Sequence, residues 1–523
     1  MTDVVVIGGG INGLVAAIAL ARRKRSVVLV EQRATPGGAA LTAEFAPGYR
    51  APTLSHAIGP LDADIARSLR LDRAGVEIIT PDPALTALGR AGEMLTFHRD
   101  PVLTAASISQ LSAADASRWP DFVATTQRLA AFAARIARQA PPSIDDRPAR
   151  EGLRLLALGR RARRLGRGHL VRLARWAVMP IADLTAEWFQ HEVLQAAIAA
   201  HAVFGHPAGP WSAGTGAMWL QRLAEDPMPV GGGVTVRGGP GALADALAKI
   251  AADAGVSVRL DTRVRQVMVT GGRAAGVVID TGDEIPARTV VAAIDPKQLA
   301  IDLVPPSDLP PSYLERMRHV RARGVTAKIN LALSEAPVFT SLHGDSVPLR
   351  GRLLIAPDID YIERAFDATK YGEMSPSPWL EISMPSMFDA SFAADGRHVL
   401  SIHVHYAPRH LRGLEWDANR DALFKSVMQV LGEHAPTLNA LIVGREILTP
   451  EDLERRWGFP GGHIFHGEHA LDQSWVARPL LGWAQYRTPI AGLYLASAGA
   501  HPGGGLTGLP GLLAARAVLA THR

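Results

Sequence analysis

The first thirty residues carry the sharpest pattern of apolar and polar positions in the chain. Val4–Ile7 is an unbroken β-branched run, as expected of a strand buried on both faces. Glycines follow at 8, 9 and 10, Leu14–Arg23 repeats apolar residues at helical spacing, and Val27–Val30 is a second buried run. Strand, glycine turn, helix and parallel strand make one βαβ unit. Further along, residues from about 100 to 230 predict helices. Gly238-Gly239-Pro240-Gly241 opens a helix over Ala242–Ala254, and short strands are expected at 256–260, 263–269 and 274–280. Alternating positions predict strands at Ala327–Leu333, Trp379–Met384 and His398–Tyr406. A strand at Leu493–Ala496, a glycine-rich loop and a helix from about Pro510 close the pattern. No internal repeat or low-complexity linker is visible.

Composition narrows the chemistry. The chain has 523 residues, 47% hydrophobic and 20% charged, a globular balance. It has no cysteine, which excludes a disulfide scaffold, a thiolate metal site, a thiol nucleophile and a CxxC redox pair. Redox chemistry here needs a cofactor. The apolar start is cut at Gly8, unlike a signal peptide, and no run of about 18 apolar residues predicts a spanning helix, so a cytoplasmic protein is expected. Arginine outnumbers lysine 49 to 6, a compositional bias. The net charge of +5 is concentrated. Residues 151–176 hold eight arginines against Glu151, which leaves the rest of the chain at −2. This is no general nucleic-acid signature. With leucines interleaved and Gly166-Arg167-Gly168 between them, the stretch predicts two short amphipathic helices. They suit either a solvated face or contact with an anionic membrane surface.

The glycines at 8, 10 and 13 form GxGxxG between a strand and a helix. Gly8 makes the tight turn, Gly10 lets the backbone approach a pyrophosphate, and Gly13 lets the helix pack closely. Glu31 stands where a carboxylate binds ribose hydroxyls, and it would repel a 2′-phosphate. Such a motif serves FAD and NAD alike. Two further features favour FAD: Gly37-Gly38 soon after Glu31, and the run from His501 to Gly511 before the last helix. That helix would direct free N–H groups at the reduced flavin. No second GxGxxG beside a strand offers a nicotinamide site, and no metal motif is present.

Together these pieces resemble the phytoene desaturase and carotenoid isomerase family of FAD-dependent, amine-oxidase-fold enzymes. Within it they are similar to the group called pyridine nucleotide-disulfide oxidoreductase domain-containing protein 2. Val5–Gly38, Gly238–Val264, Trp379–Leu411 and Gly461–Ala515 carry the resemblance. It implies an α/β fold in which a Rossmann-like FAD domain (1–100, 232–300 and 440–523) is interleaved with a substrate domain of mixed sheet and helices (101–231 and 301–439). It implies that Gly8, Gly10, Gly13 and Glu31 hold the ADP half. Gly38 and Ala39 would lie by the diphosphate and ribityl chain, and the Val264 backbone by the adenine. Gly499, Gly503, Thr507 and Gly508 would approach the ribityl chain and isoalloxazine. Two departures are Lys24, where the family usually has glycine, and Ala500, where it often has threonine.

The implied function is an oxidoreductase, a dehydrogenase or desaturase passing a hydride from a hydrophobic or lipid-like molecule to the flavin. Alternatives are an isomerase or saturase acting on a polyene, and a flavin-binding interaction protein without turnover. No aromatic pair suited to caging an amine is visible. A disulfide reductase is excluded by the missing cysteines. No catalytic base is identified. His463, His466, Glu468 and His501 lie in flavin-proximal segments, with His466 and Glu468 expected to pair and fix a loop. His201 and His206 are expected to be surface or packing residues.

Overall fold

The computed structural model describes residues 2–59, 61–143 and 148–521. The opening unit forms as read: β1 (Thr2–Ile7), α1 (Ile11–Ala21) and β2 (Val27–Val30). Lys24 ends the turn after α1 at φ 60°, a left-handed position that glycine fills without strain. Five helices that matter below follow or close the chain. They are α2 (Ala113–Ala137), α3 (Pro148–Leu165), α4 (Arg167–Val178), α5 (Thr215–Glu225) and α6 (Leu509–Thr521).

Among the described residues, two seven-stranded sheets organise the fold. In the first, β1 lies between β2 and β3 (Glu284–Ala292), parallel to both. Ser257–Arg259 extends it beyond β2, and Leu493–Leu495 pairs with β3 in parallel. Val264–Thr270 and Arg273–Ile279 add an antiparallel flank. Val5, Val6, Leu14, Val290 and Leu495 are fully buried in its core. Gly511, in the first turn of α6, meets the Asn12 carbonyl in the first turn of α1, so the two helix N-termini sit side by side.

The second sheet is built on β4 (Thr326–Leu333), β5 (Arg352–Ile355), β6 (Trp379–Ser383) and β7 (His398–His405), in the order β4-β7-β6-β5. Ile442–Leu448 flanks β4, while Leu85–Leu88 and Met94–Phe97 complete the other edge. The edge strands therefore come from 85–97 and 442–448, spans that the expected boundaries at 100 and 440 put on the cofactor side.

One face of the second sheet is apolar. Ile329, Leu331, Ile382, Leu400, Ile402 and Val404 pack there. The other face is polar yet covered. The helical insertion has its own aromatic core, in which Phe122 contacts Trp176, Phe189 and Trp219. The basic stretch forms α3 and α4, with Gly166 at φ 87° opening α4. Leu153, Leu155 and Leu156 are 69%, 52% and 62% exposed. Among the described residues no helix is long and apolar enough to cross a membrane.

Candidate cofactor and active-site cleft

A cleft runs from the end of β1 to the polar face of the second sheet. It is open to solvent at its mouth, and its lining runs from Gly8, Gly10 and Glu31 at one end to Arg352, Glu381 and His403 at the other.

At one end the glycines form a cradle. Gly8 turns at φ 97°, and a Cβ on Gly13 would fall 2.0 Å from the Gly8 carbonyl oxygen, so only glycine lets α1 pack this closely. A Cβ on Gly10 would meet only Gly38 Cα at 3.7 Å and the Gly37 oxygen at 3.9 Å, which leaves open space over the loop. Gly37 donates its N–H to the Gly9 carbonyl at 2.9 Å, bringing the second glycine pair against the first. Glu31, 6% exposed, accepts from Gly9 N at 2.7 Å and Arg33 N at 3.0 Å, which fixes its carboxylate at the cleft edge. The Asn12 side-chain oxygen is buried there without a partner. Free first-turn N–H groups, a cradle of glycines, a fixed carboxylate and an orphaned polar atom fit the ADP half of FAD. Ala39 also lines this wall.

The remaining positions implied for the cofactor are placed differently. Val264 is buried at the start of its strand in the first core, away from the cleft lining. Gly499 lies against Pro296 and the His466 carbonyl, and Gly503 against Gln221, His469 and Arg478. Thr507 Oγ1 accepts from Leu509 N at 3.3 Å at the start of α6. Gly508, at φ 72°, faces Val15 and Ile65, so a side chain there would press on α1. Ala498, Gly505 and Leu506 are the parts of the C-terminal segment that reach the cleft.

The acid–base candidates separate as clearly. His501 is buried against the end of α2, where the Ile136, Ala137 and Gln139 carbonyls face it; burial lowers it to about 4. His463 is fully buried, accepts from Phe465 N at 3.2 Å, and is lowered to about 3 by burial. His466 lines the cleft, but burial and Arg478 hold it near 4. Glu468 does not pair with His466. It accepts from Arg321 Nε at 3.2 Å and Arg323 Nε at 2.8 Å, because two guanidiniums offer a buried carboxylate more than a neutral ring does. His206 is a packing residue, its ring 4.8 Å from that of His469. His201 lines the cleft instead of packing on the surface.

The strongest cleft features are ones the sequence reading missed. Strand register places Lys328, His403 and Glu381 side by side across β4, β7 and β6. Glu381 accepts from Arg352 Nη1 at 2.6 Å, and His403 shares a 2.8 Å hydrogen bond with the Leu54 carbonyl. His56 stacks on His403 at 3.9 Å, with Nδ1 4.0 Å from Glu381 Oε1. Burial, then His403, Lys328 and Arg352, keep His56 neutral. His56, His403 and Glu381 offer three ligand atoms within 4.8 Å of one another. Arg352 already holds that carboxylate, and its guanidinium charge disfavours a divalent cation there. The signal in the sequence was the alternation Ser401, His403, His405 against Leu400, Ile402, Val404. Arg478 was also missed. It is 2% exposed and donates to the carbonyls of Phe465, Glu468 and Ala498 at 2.7–3.0 Å, which ties the 465–468 loop to the C-terminal segment.

Comparison with known proteins gives the class. The family of flavin containing amine oxidoreductases matches residues 11–519, and the chain belongs to it. Pyridine nucleotide-disulfide oxidoreductase domain-containing protein 2 of Rattus norvegicus is 33% identical, covering 99% of this chain and 93% of its own. A neurosporene-forming phytoene desaturase of Cereibacter sphaeroides is 25% identical, over 98% and 94%. An oxidoreductase from Methanosarcina mazei shares the fold at TM-score 0.63 and 16% identity, over 99% and 100%. The fold is thus the amine-oxidase type, the cofactor is FAD, and the protein is an FAD oxidoreductase.

Proposed function

We propose that the protein is a dehydrogenase that takes a hydride from a hydrophobic or lipid-like small molecule. One observation carries this reading: the cleft continues past the dinucleotide cradle, between Phe204, Phe459, Ile464 and Phe465, to the charged row on the second sheet. Bound FAD would supply the two-electron acceptor. The chain's part is to hold the substrate's apolar body between the aromatic rings, exclude water and present charged groups at its reacting end. The desaturase relative acts on phytoene by its name, which supports an apolar substrate here. The test is anaerobic mixing of the yellow holoprotein with fractionated host metabolites. A fraction that bleaches the flavin supports the reading. A fraction isomerised without bleaching points to an isomerase, and flavin that stays oxidised throughout leaves a binding protein without turnover.

We further propose that α3 and α4 rest on an anionic membrane surface. The observation is three leucines of α3 exposed beside the arginine cluster. Cationic amphipathic helices bind by apolar insertion plus attraction to anionic headgroups, and the second term is screened by salt. The holoprotein should sediment with vesicles containing phosphatidylserine, not with neutral ones, and raised salt should weaken the binding. Equal recovery with neutral vesicles would remove the electrostatic part of this reading.

A further inference from the structure

One cleft carboxyl has no part in holding the fold. Glu225 ends α5 and lines the cleft. Among the described residues it accepts no hydrogen bond and forms no ion pair. Arg222, one turn earlier on α5, faces it without forming an ion pair and lies over the rings of Phe204 at 5.1 Å and Phe465 at 5.8 Å. The C-terminal loop passes over the carboxyl. A Cβ on Gly505 would fall 2.8 Å from Glu225 Oε2, so the glycine leaves that oxygen uncovered by a side chain. The charged groups facing it are Arg222 and Asp226 from its own helix end and Arg478 from the loop below. Surrounding protein raises the carboxyl to about 7, against the pull of Arg222 and Arg478.

The contrast with Glu381 is instructive. Glu381 is occupied by Arg352 and flanked by His403, which commits it to the ionised form. Glu225 is uncommitted. An unpaired carboxyl in confined surroundings costs stability and contributes none. A cleft carboxyl that changes charge near neutral pH is what proton transfer requires.

We propose that Glu225 is the catalytic proton acceptor in substrate oxidation. The proposal rests on the dehydrogenase reading above. In the balanced step, one hydrogen leaves the oxidised carbon with its bonding pair, as hydride to FAD. The hydrogen on the neighbouring atom leaves as a proton to the Glu225 carboxylate, and its bonding pair closes the new double bond. Two electrons and one proton thus go to FAD and one proton to Glu225, which then releases it to solvent. The substrate class is therefore a molecule with hydrogens on two adjacent atoms, one of them beside the charged cleft wall.

Two measurements on FAD-loaded protein test this. The first needs no substrate. The infrared difference between wild type and Glu225→Gln should contain a protonated carboxyl band at pH 6 that is gone by pH 8. A carboxylate already ionised at pH 5.5 overturns the proposal. The second uses whichever fraction bleaches the wild-type flavin. Its reduction rate should rise with pH through about 7. Glu225→Gln should be slower by roughly 100-fold or more, the low end for a general base, and flat with pH, while Glu225→Asp recovers part of the rate. Reduction of Glu225→Gln within threefold of wild type overturns it, as does full loss in His56→Asn with Glu225→Gln unaffected. If no fraction bleaches the wild type, the dehydrogenase reading fails and this assignment falls with it. If wild type and Glu225→Gln bleach alike, only this assignment fails.

Discussion

A valine at Gly10 should leave the apoprotein folded and strip it of FAD. Gly10 has φ −68° and ψ 172°, a conformation open to any residue, and its Cβ position meets only the neighbouring glycine loop at 3.7–3.9 Å. The fold can therefore take alanine there without rearrangement. Valine's two methyl groups extend into the space over the loop, where the pyrophosphate must approach the first-turn N–H groups of α1. Losing two hydrogen bonds to a charged group, at about 1.5–3 kcal/mol each, weakens FAD by roughly 10²–10⁴-fold. Titration of FAD into apoprotein, with the melting temperature of each apoprotein as control, measures both effects. Gly10→Ala should keep the fold and lose less affinity than Gly10→Val, because one methyl fills less of that space. Gly13→Ala should behave oppositely and lose stability before it loses FAD, because its Cβ would fall 2.0 Å from the Gly8 carbonyl oxygen. Wild-type affinity in a folded Gly10→Val protein would mean the pyrophosphate lies elsewhere.

That cradle was legible because it is local. A buried strand, a glycine turn and a helix lie within thirty residues, and each constrains the next. β3 was not legible, although it is the central neighbour of β1. Its first half pairs antiparallel with Arg273–Ile279 at a partly exposed edge, and its second half runs parallel between β1 and Leu493–Leu495. The residues accordingly alternate from Glu284 to Arg288 and turn wholly buried from Thr289 to Ala292, a mixture that matches neither strand pattern alone. β4, β6 and β7 were found by alternation, but alternation assigns the polar side to water by default. Here that side is roofed, with Ser401 and His405 fully buried. Only the packing shows that the polar residues face a cleft. Arg478 and Glu225 are harder still. Each stands without periodic context, and each is defined by segments more than two hundred residues apart or by carbonyls that no side-chain pattern encodes. The C-terminal loop is placed by packing that its run of small residues does not encode. It does reach the cleft, but with Gly505 and Leu506, while Gly508 turns inward to α1.

The charged row on the second sheet should prove the most sensitive polar element of the fold. Arg352 donates to Glu381 at 2.6 Å and to the carbonyls of Val230 and Gly231 at 2.9 and 2.5 Å, and it is 7% exposed. Burial alone would push the Glu381 carboxyl up, but Arg352 and then His403 outweigh it and hold it well below the usual carboxylate range. A depressed carboxyl stabilises the fold above its unfolded value, about 4.3, and that contribution is lost as pH falls below it. Arg352→Leu removes the main downward influence and leaves a buried carboxylate with two stranded carbonyls. The expected loss is about 3–5 kcal/mol at pH 7.5, the scale for breaking one side of a buried pair. The sign then reverses with pH. In the variant the Glu381 carboxyl rises above its ordinary value, so protonation relieves the unpaired charge and the deficit relative to wild type should shrink at pH 5. Adding Glu381→Leu should restore more than half of the loss at pH 7.5, because an apolar pair leaves no buried charge. Urea denaturation of the three proteins at both pH values reads all of this. A loss below ~1 kcal/mol, or one unchanged between pH 7.5 and 5, would show that Glu381 is solvated through the cleft and that the row does not hold the wall in place.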